Sequence, residues 1–133
     1  MKYLLDTNIC LYIINKRPSS ILDVIRLKKA DEISISAITI AELYYGAERS
    51  RYPHQNRTAI LEFLIPFTIL YFDYRSASYY GKIRERLESQ GIPIGPMDLL
   101  LAAQALAYDL IFVTNNTKEF NRIDKLRLEN WLM

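Results

Sequence analysis

Four acids, Asp6, Glu42, Asp98 and Glu119, share one local setting: each lies just past a short apolar run, in the first turn of an expected helix. Carboxylate oxygens gathered in this way are ligands for a hard divalent cation, Mg2+ or Mn2+. Such a cation polarises a phosphoryl oxygen, lowers the pKa of a bound water and stabilises charge on a leaving oxygen, so phosphodiester hydrolysis is the reaction the set suits best. A softer ligand set is absent, because the chain has one cysteine, Cys10, and one histidine, His54. Cys10 therefore reads as a small apolar residue on the first helix, with no disulfide, zinc or nucleophilic role.

Each acid also has a plain structural reading. Asp6 can cap the first helix, and Glu42 stands three residues after Thr39 in the spacing of a capping box. Asp98 would complement the macrodipole in a first helical turn, and Glu119 follows Asn116 in a third capping arrangement. Taken singly, capping is the better explanation for each. Capping, however, is indifferent to which edge of a sheet a helix starts from, and the joint pattern is not. Asp98 heads the most apolar helix of the chain, Leu99 to Tyr108, where an ionised carboxylate needs a partner to offset its desolvation.

The elements that must position these acids alternate in period. Lys2 to Leu5, Glu32 to Ser36, Thr68 to Phe72 and Ile111 to Thr114 read as strands, and Leu126 to Leu128 as a fifth, at an edge. Between them fall helices from about Ile9, from Pro18 to Lys29, from Thr39 to Arg49, from after a turn at Tyr52-Pro53-His54 to about Ile65, and from Tyr74 to Gln90, the last capped by Gly91. Leu99 to Tyr108 and a turn over Asn115 to Phe120 complete the set. Strands separated by helices imply right-handed crossovers, hence a three-layer α/β/α sandwich around a mainly parallel sheet. In such sheets sites form beyond the carboxyl ends of the strands, which is the edge the acids share.

Composition bounds the alternatives. With 133 residues, half hydrophobic and 24% charged, the chain suits one domain, 1–133, with a full core. No apolar run reaches the roughly twenty residues that span a bilayer, and Asp6 interrupts what a signal peptide would need, so a cytoplasmic protein is expected. A formal net charge of +2 does not by itself indicate nucleic acid; only its distribution can.

Four ordered segments carry a resemblance: Leu4-Leu5-Asp6-Thr7-Asn8, Ile38 to Ala47, Ile94 to Ala103, and Val113 to Phe120. Together with the close Arg127-Leu128-Glu129-Asn130-Trp131, they make the chain similar over essentially its whole length to the PIN-domain ribonucleases, and within them to the VapC toxins of bacterial toxin-antitoxin modules. The resemblance implies a Mg2+-dependent endoribonuclease acting on a structured RNA such as a tRNA or an rRNA loop, with a VapB-like antitoxin that wraps the toxin and blocks its site. It makes Asp6 and Asp98 the principal metal ligands and Glu42 the third acid. Many PIN domains have an aspartate where this chain has Asn116, and Glu119, one turn along, stands as its substitute. Thr7, Thr114 and Asn115 would support the site through hydrogen bonds, Asn115 by orienting Asp6 or a water. The expected chemistry is in-line attack of a metal-activated water on the phosphate, leaving a 5′ phosphate.

RNA must be drawn to an acidic pocket by charge placed elsewhere. Lys16, Arg17, Arg49, Arg51 and Arg57 are the candidates, with Tyr52 and His54 placed to stack on bases. Ten tyrosines, among them Tyr44, Tyr45, Tyr79 and Tyr80, fit core or rim positions, and under the resemblance some would line a homodimer seam or the antitoxin groove. Two other classes compete. A phospho-acceptor signalling domain expects an acidic pair after the first strand and a lysine after the last, and Asp6-Thr7-Asn8 and Thr114-Asn115-Asn116 supply neither. A catalytically silent PIN-like module that binds RNA or protein would follow from the substitution at Asn116.

Overall fold

The computed structural model describes residues 1–132. Its five strands are β1 (Tyr3–Leu5), β2 (Ile33–Ser36), β3 (Thr68–Leu70), β4 (Ile111–Val113) and β5 (Leu128–Glu129). They form one sheet in the order β3-β2-β1-β4-β5, with every pair parallel. Parallel neighbours need crossovers, which the helices provide. After β1 come α1 (Thr7–Asn15) and α2 (Ser19–Arg26); after β2, α3 (Ala37–Arg49) and α4 (Pro53–Leu64). After β3 come α5 (Tyr74–Ser89) and α6 (Pro96–Ala107), and after β4 the single turn α7 (Thr117–Phe120).

The period of two along the strands divides the interior into two cores. Tyr3, Leu5, Ile33, Ile35 and Val113 face one side, where Ile9, Cys10, Ile21 and Ile60 of α1, α2 and α4 pack on them. Leu4 and Phe112 face the other, against Leu87 of α5, Leu101 and Ala102 of α6, and Phe120 of α7. The expected three-layer sandwich is therefore realised. Cys10 is fully buried in the first core, and burial pushes its thiol well above the ordinary range. Ile38 at the start of α3 packs on the second core while Leu43 and Ala47 pack on the first, so α3 crosses over the carboxyl edge of the sheet.

Several boundaries move, each for a local reason. The third helix starts at Ala37, not Thr39, because Ser36 caps it: the Ser36 hydroxyl accepts from the Ile38 N–H at 3.0 Å. The sixth starts at Pro96, whose fixed φ suits a first helical position. The second helix ends at Arg26, and a 3-10 turn at Ala30–Glu32 fills the interval before β2. Strand β3 stops at Leu70, short of Phe72, and the edge strand is Leu128–Glu129 where Leu126 to Leu128 was expected. Gly91 follows the end of α5 with φ 72°, the left-handed conformation a glycine accepts without strain. Among the described residues no helix is long and apolar enough to cross a membrane.

Strand order reverses between β1 and β4, since the chain winds outward through β2 and β3 and then returns to the other side of β1. A crevice at the carboxyl ends of β1 and β4 follows from that reversal.

Candidate metal centre

Asp6 leaves the end of β1 and stands at this crevice, its N–H bonded to the Val113 carbonyl of β4 at 2.9 Å. It occupies the N-cap position of α1, yet its side chain makes no capping bond to the helix. The carboxylate instead accepts a 2.8 Å hydrogen bond from the buried hydroxyl of Thr114, which in turn accepts the Asn116 N–H at 3.0 Å. Asp6 is 5% exposed, and burial raises its pKa. The Thr114 hydroxyl and the Thr7 N–H oppose that rise, and the charges of Glu42 and Glu119 add to it.

Glu42 reaches the same crevice from α3. It is in the second turn of that helix, so the capping-box spacing from Thr39 describes nothing real. Thr39 is buried, and its hydroxyl lies 3.0 Å from that of Thr7. The Thr7 hydroxyl donates to Glu42 at 2.7 Å, so the proton between the two threonines belongs to Thr39 and the bonds run Thr39 to Thr7 to Glu42.

Asp98 does not follow a strand, contrary to the expected strand-to-helix setting. The pairing of α5 with α6 carries it there, at the third position of α6. Gln104, the one polar side chain among the buried residues of α6, fixes that helix to the sheet. Its amide accepts from the Ser36 hydroxyl at the end of β2 and donates to the Leu70 carbonyl at the end of β3. Half-buried Asp98 is pushed up to about 6, by burial first and then by Asp6, Glu119 and Glu42, with a hydrogen bond to Glu119 adding to the rise. Glu119, in the one-turn helix α7, accepts from the Asn116 side-chain amide.

The structure thus brings Asp6, Glu42, Asp98 and Glu119 within electrostatic range of one another, with Thr7, Thr114 and Asn116 among them. Among the described residues no lysine or arginine forms an ion pair with any of the four. Mutual repulsion in a partly buried pocket is what a divalent cation would relieve, and an oxygen-only donor set suits Mg2+ or Mn2+. The acids are not drawn into a closed cage: among the described residues no three His, Cys, Asp or Glu side chains are placed to hold an ion as they stand. The donor chemistry fits such an ion, and the side chains as they stand do not enclose one.

The structure places the remaining expected residues away from the four acids. Asn115 is exposed and its amide donates to the Tyr12 hydroxyl at 3.4 Å, not to Asp6, because it points back over α1. Arg57 pairs with Glu48 at 2.6 Å, both side chains partly exposed. Lys16 and Arg17 lie beyond the far end of nine-residue α1, about 14 Å of helix away from Asp6. Arg49 and Arg51 are exposed and form no ion pair among the described residues. The sequence offers Thr39 only as the head of a capping box and passes over Gln104, although Gln104 carries a signal: a lone polar side chain in an apolar helix must find partners.

A groove of about 230 Å3 opens beside Glu42, between α1, α3 and α4, with Leu11, Leu43, Gly46 and Ile60 among its lining.

The description of the PIN domain matches residues 3–126. The chain belongs to the PIN-domain family. This PIN domain is 46% identical over 132 residues to Ribonuclease VapC2 of Haemophilus influenzae, covering 99% of both chains. It is 41% identical over 131 residues to the tRNA(fMet)-specific endonuclease VapC of Shigella flexneri, covering 98% of both. Its fold superposes with a TM-score of 0.92 and 45% identity on VapBC2 from Rickettsia felis, crystallised on a DNA fragment from its promoter, covering 98% of this PIN domain and 99% of that chain.

Proposed function

We infer that this PIN domain is an endoribonuclease toxin of the VapC type, dependent on Mg2+ or Mn2+, cleaving structured RNA and silenced by a VapB-like antitoxin. The observation that carries the reading is the convergence of four carboxylates from four separate elements at one crevice without a counter-cation. The family relationship agrees with it, and the Shigella flexneri relative makes tRNA the first substrate to try.

In this reading Asp6 and Asp98 would hold the ion directly, and Glu42 and Glu119 would hold it directly or through water. Bound there, the ion supplies a lowered pKa for an attacking water and charge stabilisation at the phosphate. Thr114 and Thr7 fix the Asp6 and Glu42 carboxylates in rotamer, as outer partners of metal-binding acids do. Asn116 stands where many PIN domains have an acid, and its amide directs Glu119 towards Asp98. That arrangement favours Glu119 as the fourth acid over a catalytically silent module. Arg49 and Arg51 attract the RNA backbone. The groove beside Glu42 is the place for an antitoxin segment that covers the site, and a homodimer is the expected assembly of the toxin itself.

The test is to treat partner-free protein with EDTA and incubate it with bacterial tRNA, with and without added Mg2+, beside Asp6→Ala. A discrete Mg2+-dependent cut that the variant does not make is expected. Equal cleavage by both proteins would overturn the reading.

A further inference from the structure

We propose that Tyr45, with the Arg49 guanidinium stacked against it, is a docking platform for an unpaired nucleobase of the RNA, one helical turn from Glu42. The proposal rests on the ribonuclease reading above.

Glu42, Tyr45 and Arg49 stand at i, i+3 and i+7 on α3, and those spacings put all three on one face. A rise of 1.5 Å per residue sets Tyr45 about 4.5 Å and Arg49 about 10 Å along the axis from Glu42. The Tyr45 ring is 64% exposed, and the Arg49 guanidinium carbon lies 5.4 Å from its centroid. A second pair follows in the connection to α4, where Arg51 lies 5.5 Å from the ring of Tyr52, which is 54% exposed. Neither arginine is neutralised by an acid among the described residues, whereas neighbouring Arg57 is.

Two exposed tyrosines, each backed by an unpaired arginine, have the chemistry of a single-strand platform. An aromatic face stacks on any base, and the guanidinium adds a planar surface and a charge for the phosphate. Two unneutralised cations favour a polyanion over a protein segment as the occupant. The same cations are needed by an RNA ligand for a second reason: its phosphates must approach four like-charged carboxylates. Stacking at Tyr45 would fix the register in which the backbone enters the crevice, which makes Tyr45 a positioning residue.

The experiment reads stacking without cleavage. Short single-stranded oligoribonucleotides carrying 2-aminopurine, whose fluorescence is quenched on stacking, are titrated with the full chain in EDTA. Wild type and Tyr45→Phe are expected to bind with quenching, and Tyr45→Ala to bind roughly tenfold more weakly with the quench lost. On bacterial tRNA with Mg2+, Tyr45→Ala should raise KM more than it lowers kcat, with Mn2+ affinity unchanged. Absence of quenching by wild type, or binding and quenching by Tyr45→Ala equal to wild type, would overturn the proposal. So would a variant that loses only the binding of a protein partner. Quenching by a wild-type protein that never cleaves would uphold the platform and sink the ribonuclease reading, so the two fail separately.

Discussion

The Thr114 hydroxyl donates to the Asp6 carboxylate at 2.8 Å, joining residues 108 positions apart across the point where the strand order reverses. This bond turns the side chain of Asp6 away from capping α1 and into the crevice. Thr114→Val preserves shape and removes the donor, leaving a buried carboxylate and the Asn116 N–H short of a partner. The expected cost is about 1–3 kcal/mol in urea unfolding. Mn2+ affinity should fall roughly ten- to a hundredfold. Thr114→Ser should retain most of both, and a Thr114→Val protein with wild-type affinity would remove Thr114 from the site.

The metal-free protein should lose stability as pH rises through the range in which Asp98 ionises. Its carboxyl titrates near 3.8 when unperturbed and at about 6 in the fold. Between those values the folded chain keeps a proton that the unfolded chain has released, so the unfolding free energy declines with rising pH. The contribution is fully present below 3.8 and gone above about 6. In EDTA, Asp98→Asn should flatten this part of the profile and raise the melting temperature at neutral pH. Added Mn2+ should stabilise wild type at pH 7 more than at pH 5, because the ion competes with the proton for the same carboxylate. A wild-type profile indistinguishable from that of Asp98→Asn would contradict the account.

Much of the fold was legible in the sequence because alternating periods of two and near four survive burial. The two Ile and two Ser positions of β2 show where that reading stops. Both faces are buried, and the serines find protein partners rather than water: Ser34 donates to the Tyr3 carbonyl of β1 and Ser36 to the Gln104 amide of α6. All four acids were visible as types, and Asp6 and Glu119 as helix-start positions. Local pattern misassigned how the other two arrive: Glu42 sits a turn beyond any cap, and Asp98 is delivered by helix pairing rather than by a strand. The neutralisation of Arg57 and the turning of Asn115 towards Tyr12 are contacts between distant turns, which no spacing rule encodes.

Gln104→Leu should test the positioning of α6. The apolar side chain fits the surroundings but leaves the Ser36 hydroxyl and the Leu70 carbonyl without their partner, at about 1–3 kcal/mol for each group stranded in the core. Ser36→Ala also removes the cap of α3, but it should cost less in the Gln104→Leu background than in wild type, since the two substitutions share one bond. Strict additivity in denaturant unfolding would argue that the pair is not coupled.

Arg51 and Arg57 should separate in their effect on RNA binding. With its charge unpaired, Arg51→Ala should make the dependence of affinity on salt concentration shallower. The Arg57–Glu48 pair is partly solvated, so Arg57→Ala should change neither that slope nor, by more than about 1 kcal/mol, the stability. Equal changes in slope would show that Glu48 does not mask Arg57.

Metal binding itself tests the gathering of the acids most directly. Mn2+ titrated into the RNA-free protein, followed by the loss of the free-ion electron paramagnetic resonance signal, should show a site that Asp6→Asn and Asp98→Asn abolish. Glu42→Gln and Glu119→Gln should weaken the same site. Mn2+ binding that all four variants leave unchanged, in folded protein, would contradict the assignment of this crevice as a metal centre.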